Sequence, residues 1–155
     1  MQIVFRHFWI VFVLVTLANG ATWWHRGRRH RERDPSLASG YRSLVGGFVT
    51  WGNLPWVVMG AGILFGGVPS IFHYFDPKSS NPFVIAFFGS IFLLWVLGTH
   101  WLFARGGAEL IVRHPGLTEP ETISPGRIKL LWIVGVAGGI AGVAVMYARD
   151  FQPPL

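Results

Sequence analysis

The sequence predicts an all-α integral membrane protein, a four-transmembrane-helix bundle with a short amphipathic, interfacial helix before the second transmembrane helix. Composition is the first reason: 52% of the 155 residues are hydrophobic and 13% are charged, where a soluble domain carries about 25% charged residues. So few charges cannot cover a water-facing surface. Their placement is the second reason. Stretches without Asp, Glu, Lys or Arg cover 8–24, 43–75, 79–104 and 130–148, each near or above the roughly 20 residues a helix needs to cross a bilayer. In hydrocarbon the backbone must bond to itself, and these runs lack the alternation of barrel strands, so helices are the remaining solution.

The first crossing is expected over about residues 4–23. Ala18-Asn19-Gly20 offers the small residues of a signal-peptidase site. The charge order opposes that reading, because Arg6 precedes the apolar core while Arg26, Arg28, Arg29, Arg31 and Arg33 follow it, the reverse of an export signal. The segment therefore reads as a retained helix, followed by an Arg-rich loop over 25–34.

Orientation follows from the 13 Lys and Arg residues. Six fall in the first loop, the five arginines above and Arg42, and four in the third loop, Arg105, Arg113, Arg127 and Lys129. Arg6, Lys78 and Arg149 fall on the other side. Basic short loops stay in the cytoplasm during insertion, so both termini are expected outside. Arg outnumbers Lys 11 to 2, the bias of a GC-rich bacterial genome, and the expected location is the bacterial plasma (inner) membrane. The net charge of +6 is then a topology signal, and nucleic-acid binding is not expected.

Capping chemistry marks the helix starts. Asp34-Pro35, Asn81-Pro82 and Ser124-Pro125 each place a capping oxygen before the residue preferred at the first helical position. They predict an interfacial helix over 35–52, a third crossing over 82–103 and, after a third loop over 105–123, a fourth crossing over 125–148. The second crossing is expected over 55–74, with a break at Asn53-Leu54-Pro55. An uninterrupted helix through the whole uncharged run 43–75 would be about 50 Å long and overshoot the membrane. Gly66-Gly67-Val68-Pro69 is a second weak point. A discontinuous helix of this kind also lines transporter sites, which admits a small oligomeric channel or transporter as one functional alternative.

Small residues four apart signal close helix packing: Gly62 with Gly66 in the second crossing, Gly135 with Gly139 and Gly138 with Gly142 in the fourth. They predict a tight contact between those two helices, within one chain or between copies. Trp23, Trp24, Trp51, Trp56, Tyr74, Trp101 and Tyr147 fall near membrane boundaries, where amphipathic rings prefer to sit.

Chemistry is limited by what the sequence lacks. Without cysteine there is no thiolate nucleophile, disulfide or Cys-containing zinc site. All seven acids lie in loops or near helix ends, whereas proton-coupled pumps carry carboxylates at membrane depth. No phosphate loop, dinucleotide fingerprint or HExxH motif is present. Two histidines expected at similar depth, His7 and His73, admit a haem b redox protein as an alternative, with two imidazoles on the iron, and Arg6 with His7 admits a quinone or lipid headgroup site. The ordinary role of such residues is interfacial hydrogen bonding, and no cofactor or metal is the leading expectation.

The arginines at 26, 28, 29, 31 and 33 are candidates for gripping anionic lipid headgroups, each worth about 1 kcal/mol near such a surface. The leading functional expectation is a small accessory or structural subunit in the lipid bilayer. Its helices would pack against a membrane-protein partner or form a homo-oligomer, and its cytoplasmic loops would meet a partner or anionic lipid.

Overall fold

The computed structural model describes residues 6–118 and 123–149, and every regular element among them is helical. In chain order these are α1 (Trp9–Arg26), α2 (Arg28–Arg33), a 3-10 turn (Pro35–Leu37), α3 (Ala38–Phe65), a second 3-10 segment (Ile71–Phe75), α4 (Pro82–Ala104), α5 (Gly107–Val112) and α6 (Pro125–Ala148). Four of these are long. Three spans, Pro35–Phe65, α4 and α6, have the length and apolarity to cross a membrane. The described part of α1 is not among them. It ends on Trp23, Trp24, His25 and Arg26, and residues 4 and 5 of the expected first crossing lie outside the described residues.

The helices α4 and α6 start on the capping signals the sequence carries. Asn81 Oδ1 accepts from the Phe83 amide at 2.9 Å and Ser124 Oγ accepts from the Arg127 amide at 3.3 Å, with proline next in both cases. Asp34 Oδ1 accepts from the Ser36 amide at 3.0 Å. That cap opens a 3-10 turn feeding directly into α3 rather than a separate interfacial helix.

The expected break at Pro55 is absent. α3 passes through Pro55 as one helix of 28 residues, about 42 Å long. Proline has no amide hydrogen and so frees the Trp51 carbonyl, but neighbouring side chains and helices make such a residue tolerable within a membrane helix. Pro55 is buried against such neighbours, and Asn53 Nδ2 donates to the Val49 carbonyl at 2.8 Å in the preceding turn. α3 therefore stops at Phe65, short of the Tyr74 at which the second crossing was expected to end. Gly67, at φ +68°, supplies the left-handed residue that ends it, and the Gly66 and Val68 amides both donate to the Gly62 carbonyl. Asn81 joins the two sides of the following loop: its Oδ1 caps α4 while its Nδ2 donates to the Gly66 carbonyl at 3.1 Å.

The main core lies at this end of the bundle. Met59, Ile63, Val68, Ile71, Tyr74, Val84 and Phe87 are buried together, and the Tyr74 hydroxyl donates to the Met59 carbonyl at 3.0 Å. α1 packs along α3, with Phe12 stacked on Trp56 and Trp23 tilted on Phe48. α4 covers another face of α3.

α6 sits apart from that core. It buries no residue and lies against α5 and α4. Trp132 fits over Gly98 and donates from Nε1 to the Thr99 hydroxyl at 2.8 Å, and Trp95 fits over Gly139. Within the chain α3 packs mainly on α1 and α4, and α6 on α5 and α4. Outward-facing apolar side chains are the rule along these helices, Phe92 being 65% exposed and Val134 60%. Such faces suit lipid or another apolar surface and are costly in water.

Candidate functional site

The most organised polar region is at the basic end of the bundle, where the segment after α1 meets the segment after α4. Four residues build the joint. Tyr41, fully buried near the start of α3, donates its hydroxyl to the Pro115 carbonyl at 2.5 Å across 74 residues of sequence. His114, 4% exposed, stands edge-on to the Tyr41 ring, fills the space beside Gly40 and bonds through Nδ1 to the Leu110 carbonyl at 2.7 Å. Gly116 then turns the chain at φ +83°, a left-handed conformation that glycine adopts without strain. Its open side faces the Arg26 backbone, where an added Cβ would lie 3.4 Å from the carbonyl carbon.

This joint makes one wall of a cleft of about 570 Å³. Gly116 and Thr118 line it together with Arg26, Arg28 and Arg29. His25, His30 and Glu32 complete the lining. The cleft follows from local sequence: α1 continues through a bend at Gly27 into α2, so basic residues at consecutive helical positions are presented along one short rod. Arg28 Nε donates to Glu32 Oε1 at 2.7 Å, an exposed pair one turn apart that water and salt screen.

Of the arginines singled out by sequence, Arg26, Arg28 and Arg29 line the cleft, and Arg31 and Arg33 do not. Arg31 turns inward, its guanidinium carbon 3.7 Å from the Trp24 ring centroid and 5.2 Å from that of Tyr41. A guanidinium over an aromatic face is an attractive cation–π contact. Arg33 is exposed at the end of α2.

The two histidines read from the sequence lie outside this cleft. His7 is exposed ahead of α1, and His73 lies in the second 3-10 segment with Nδ1 3.2 Å from the Ser70 hydroxyl. Neither lines this cleft or the apolar groove between α4 and α6. No group of three or more potential metal-ligating side chains occurs among the described residues. Comparison with protein-family models, curated proteins and solved structures finds no match to the chain.

The glycines divide in the same way. Gly62 and Gly66 lie against Phe83, with Tyr74 also over Gly62, and Gly139 lies under Trp95. Gly135, Gly138 and Gly142 have nothing within 4 Å of where a Cβ would stand. Sequence reasoning did not single out Tyr41, Gly116 or Thr118 as parts of a site. Pro115-Gly116 is a turn-forming dipeptide, but no local signal indicates what a turn docks against.

Proposed function

We propose that this small multi-pass membrane protein is an accessory subunit that acts by contact, crossing the membrane four times with its basic end in the cytoplasm and both termini outside. The observation that carries the proposal is the unshared face of α6, a span-length apolar helix with no buried residue and with Gly135, Gly138 and Gly142 open. Membrane helices associate where small residues allow backbones to approach, so this face suits a helix of a companion chain or of a second copy. The excess of Lys and Arg in the first and third loops supports the orientation. The interlocked Tyr41, His114 and Pro115 support a fixed platform at the basic end, with its arginines against anionic lipid.

Native mass spectrometry after gentle extraction from a bacterial inner membrane tests this function. A self-associated or partner-bound species that Gly138→Leu disperses is the expected result. A lone monomer under every mild extraction overturns it. Reporter fusions within 25–34 and at each terminus test the four crossings, which fail if the Arg-rich stretch is found outside.

A further inference from the structure

We propose that the outward face of α1 around Asn19 binds a second copy of this chain, the two Asn19 amides pairing across the contact. The inference rests on the reading above that α1 crosses the membrane, and it adds a self-contact on a helix other than α6. Asn19 is exposed, and its side chain has no hydrogen-bond partner among the described residues. Its depth follows from its neighbour. Gly20 is buried against Val45 and Val49 of α3, inside the apolar span Pro35–Phe65, and Trp23 comes one turn nearer the basic end, about 6 Å away along the axis. A primary amide facing hydrocarbon there holds two N–H donors and a carbonyl oxygen away from water, a standing cost that a polar contact removes. Thr22, on the same face, satisfies itself by donating to the Ala18 carbonyl at 2.8 Å. The Asn19 amide is the group left over.

What a lipid-facing amide needs is a donor and an acceptor at its own depth. Copies of one chain insert the same way, so α1 of a second copy brings Asn19 to that level whatever else the membrane contains. An amide is also its own complement: Nδ2 of each residue donates to Oδ1 of the other, which suits the two-fold contact in which one patch meets itself. A single asparagine on an otherwise apolar face sets register and partner number in paired helices by the same chemistry. The face permits the approach. Val11, Val15, Ala18 and Thr22 recur at helical spacing beside Asn19, all exposed and none longer than valine, whereas Phe12, Thr16 and Gly20 are the side of α1 that meets α3.

The chain has no cysteine, so single cysteines in the full chain report the contact directly in isolated membranes under a mild oxidant. Val15→Cys should give a disulfide-linked dimer, because such a link needs Cα atoms within about 7 Å. Leu17→Cys, exposed on another side of the helix, should not. Adding Asn19→Leu to Val15→Cys should weaken dimerisation about tenfold, the loss of hydrogen bonds inside the membrane, and Asn19→Gln, which keeps the amide, should retain most of the link. The comparison of Val15 with Leu17 decides the matter whether or not the Leu variant folds. Equal linking at the two positions overturns the proposal as chance collision, and a Val15 link indifferent to Asn19→Leu overturns the role of the amide. A monomer, or a foreign chain in place of the second copy, overturns it as well. Gly138→Leu should leave this link intact, and the reporter fusions locate α1 independently. A missing link with the Arg-rich stretch inside therefore sinks the α1 contact alone, while the accessory-subunit reading stands.

Discussion

Lys129 Nζ lies 2.8 Å from Glu109 Oε1, joining the first turn of α6 to α5 across the third loop. The hydrogen bond from Lys129 is the main reason the Glu109 carboxyl is held below the usual carboxylate range, and the residue's own backbone, Lys129 and Arg113 also favour the anion. A carboxyl depressed in the folded state stabilises it above the unfolded carboxyl's pKa, and that contribution disappears as pH falls through the folded value. Acidification from about pH 7 to about pH 3 should therefore loosen the start of α6, read as a change in tryptophan emission from Trp132. Glu109→Gln should show the loosened signal at neutral pH and no such acid transition. An unchanged transition in that variant would assign it to another group.

Gly62 is the tightest test of the α3–α4 contact. A Cβ there would stand 2.6 Å from Phe83 Cβ and against the Tyr74 hydroxyl. Gly62→Val should cost about 1–3 kcal/mol, the range for overpacking, and lower the thermal midpoint in detergent. Gly138→Ala meets open space and should stay within about 0.5 kcal/mol.

Asn81 serves two helix ends, and its two atoms can be separated. Asn81→Ala removes both the α4 cap and the bond to the Gly66 carbonyl, for an expected loss of about 1–2 kcal/mol. Asn81→Asp keeps the capping oxygen and loses the Nδ2 donor, so its midpoint should fall between those of wild type and the alanine variant.

Tyr41→Phe deletes one buried hydroxyl while keeping the ring against His114. The Pro115 carbonyl loses its donor, at a cost of about 1 kcal/mol. Hydrogen exchange should rise over 113–118, with the core around Tyr74 unaffected. Equal exchange in both proteins would show that packing of the ring alone holds the turn.

How much of this was legible in the sequence depends on the range of the interaction involved. The starts of α4 and α6 could be read because Asn81-Pro82 and Ser124-Pro125 act on amides two or three residues away. Pro55 misled because its cost is local while its compensation comes from packing around the helix, which no window of sequence displays. The glycine pairs announced close approach without naming a partner: Gly62 and Gly66 received Phe83, whereas Gly135, Gly138 and Gly142 received nothing within the chain. The basic cleft was half visible. Its arginines are adjacent in sequence, but its wall comes from a turn some ninety residues later, placed by Tyr41.

The loose seating of α6 bears on how the molecule is assembled. The buried cluster around Tyr74 and Met59 draws on α3, α4 and the loop between them, so its residues all precede the last helix in the chain. A truncation after Ile123, which keeps the Tyr41–Pro115 joint, should still insert and resist protease, as expected if the final segment is a detachable arm whose docking waits on whatever it meets in the bilayer.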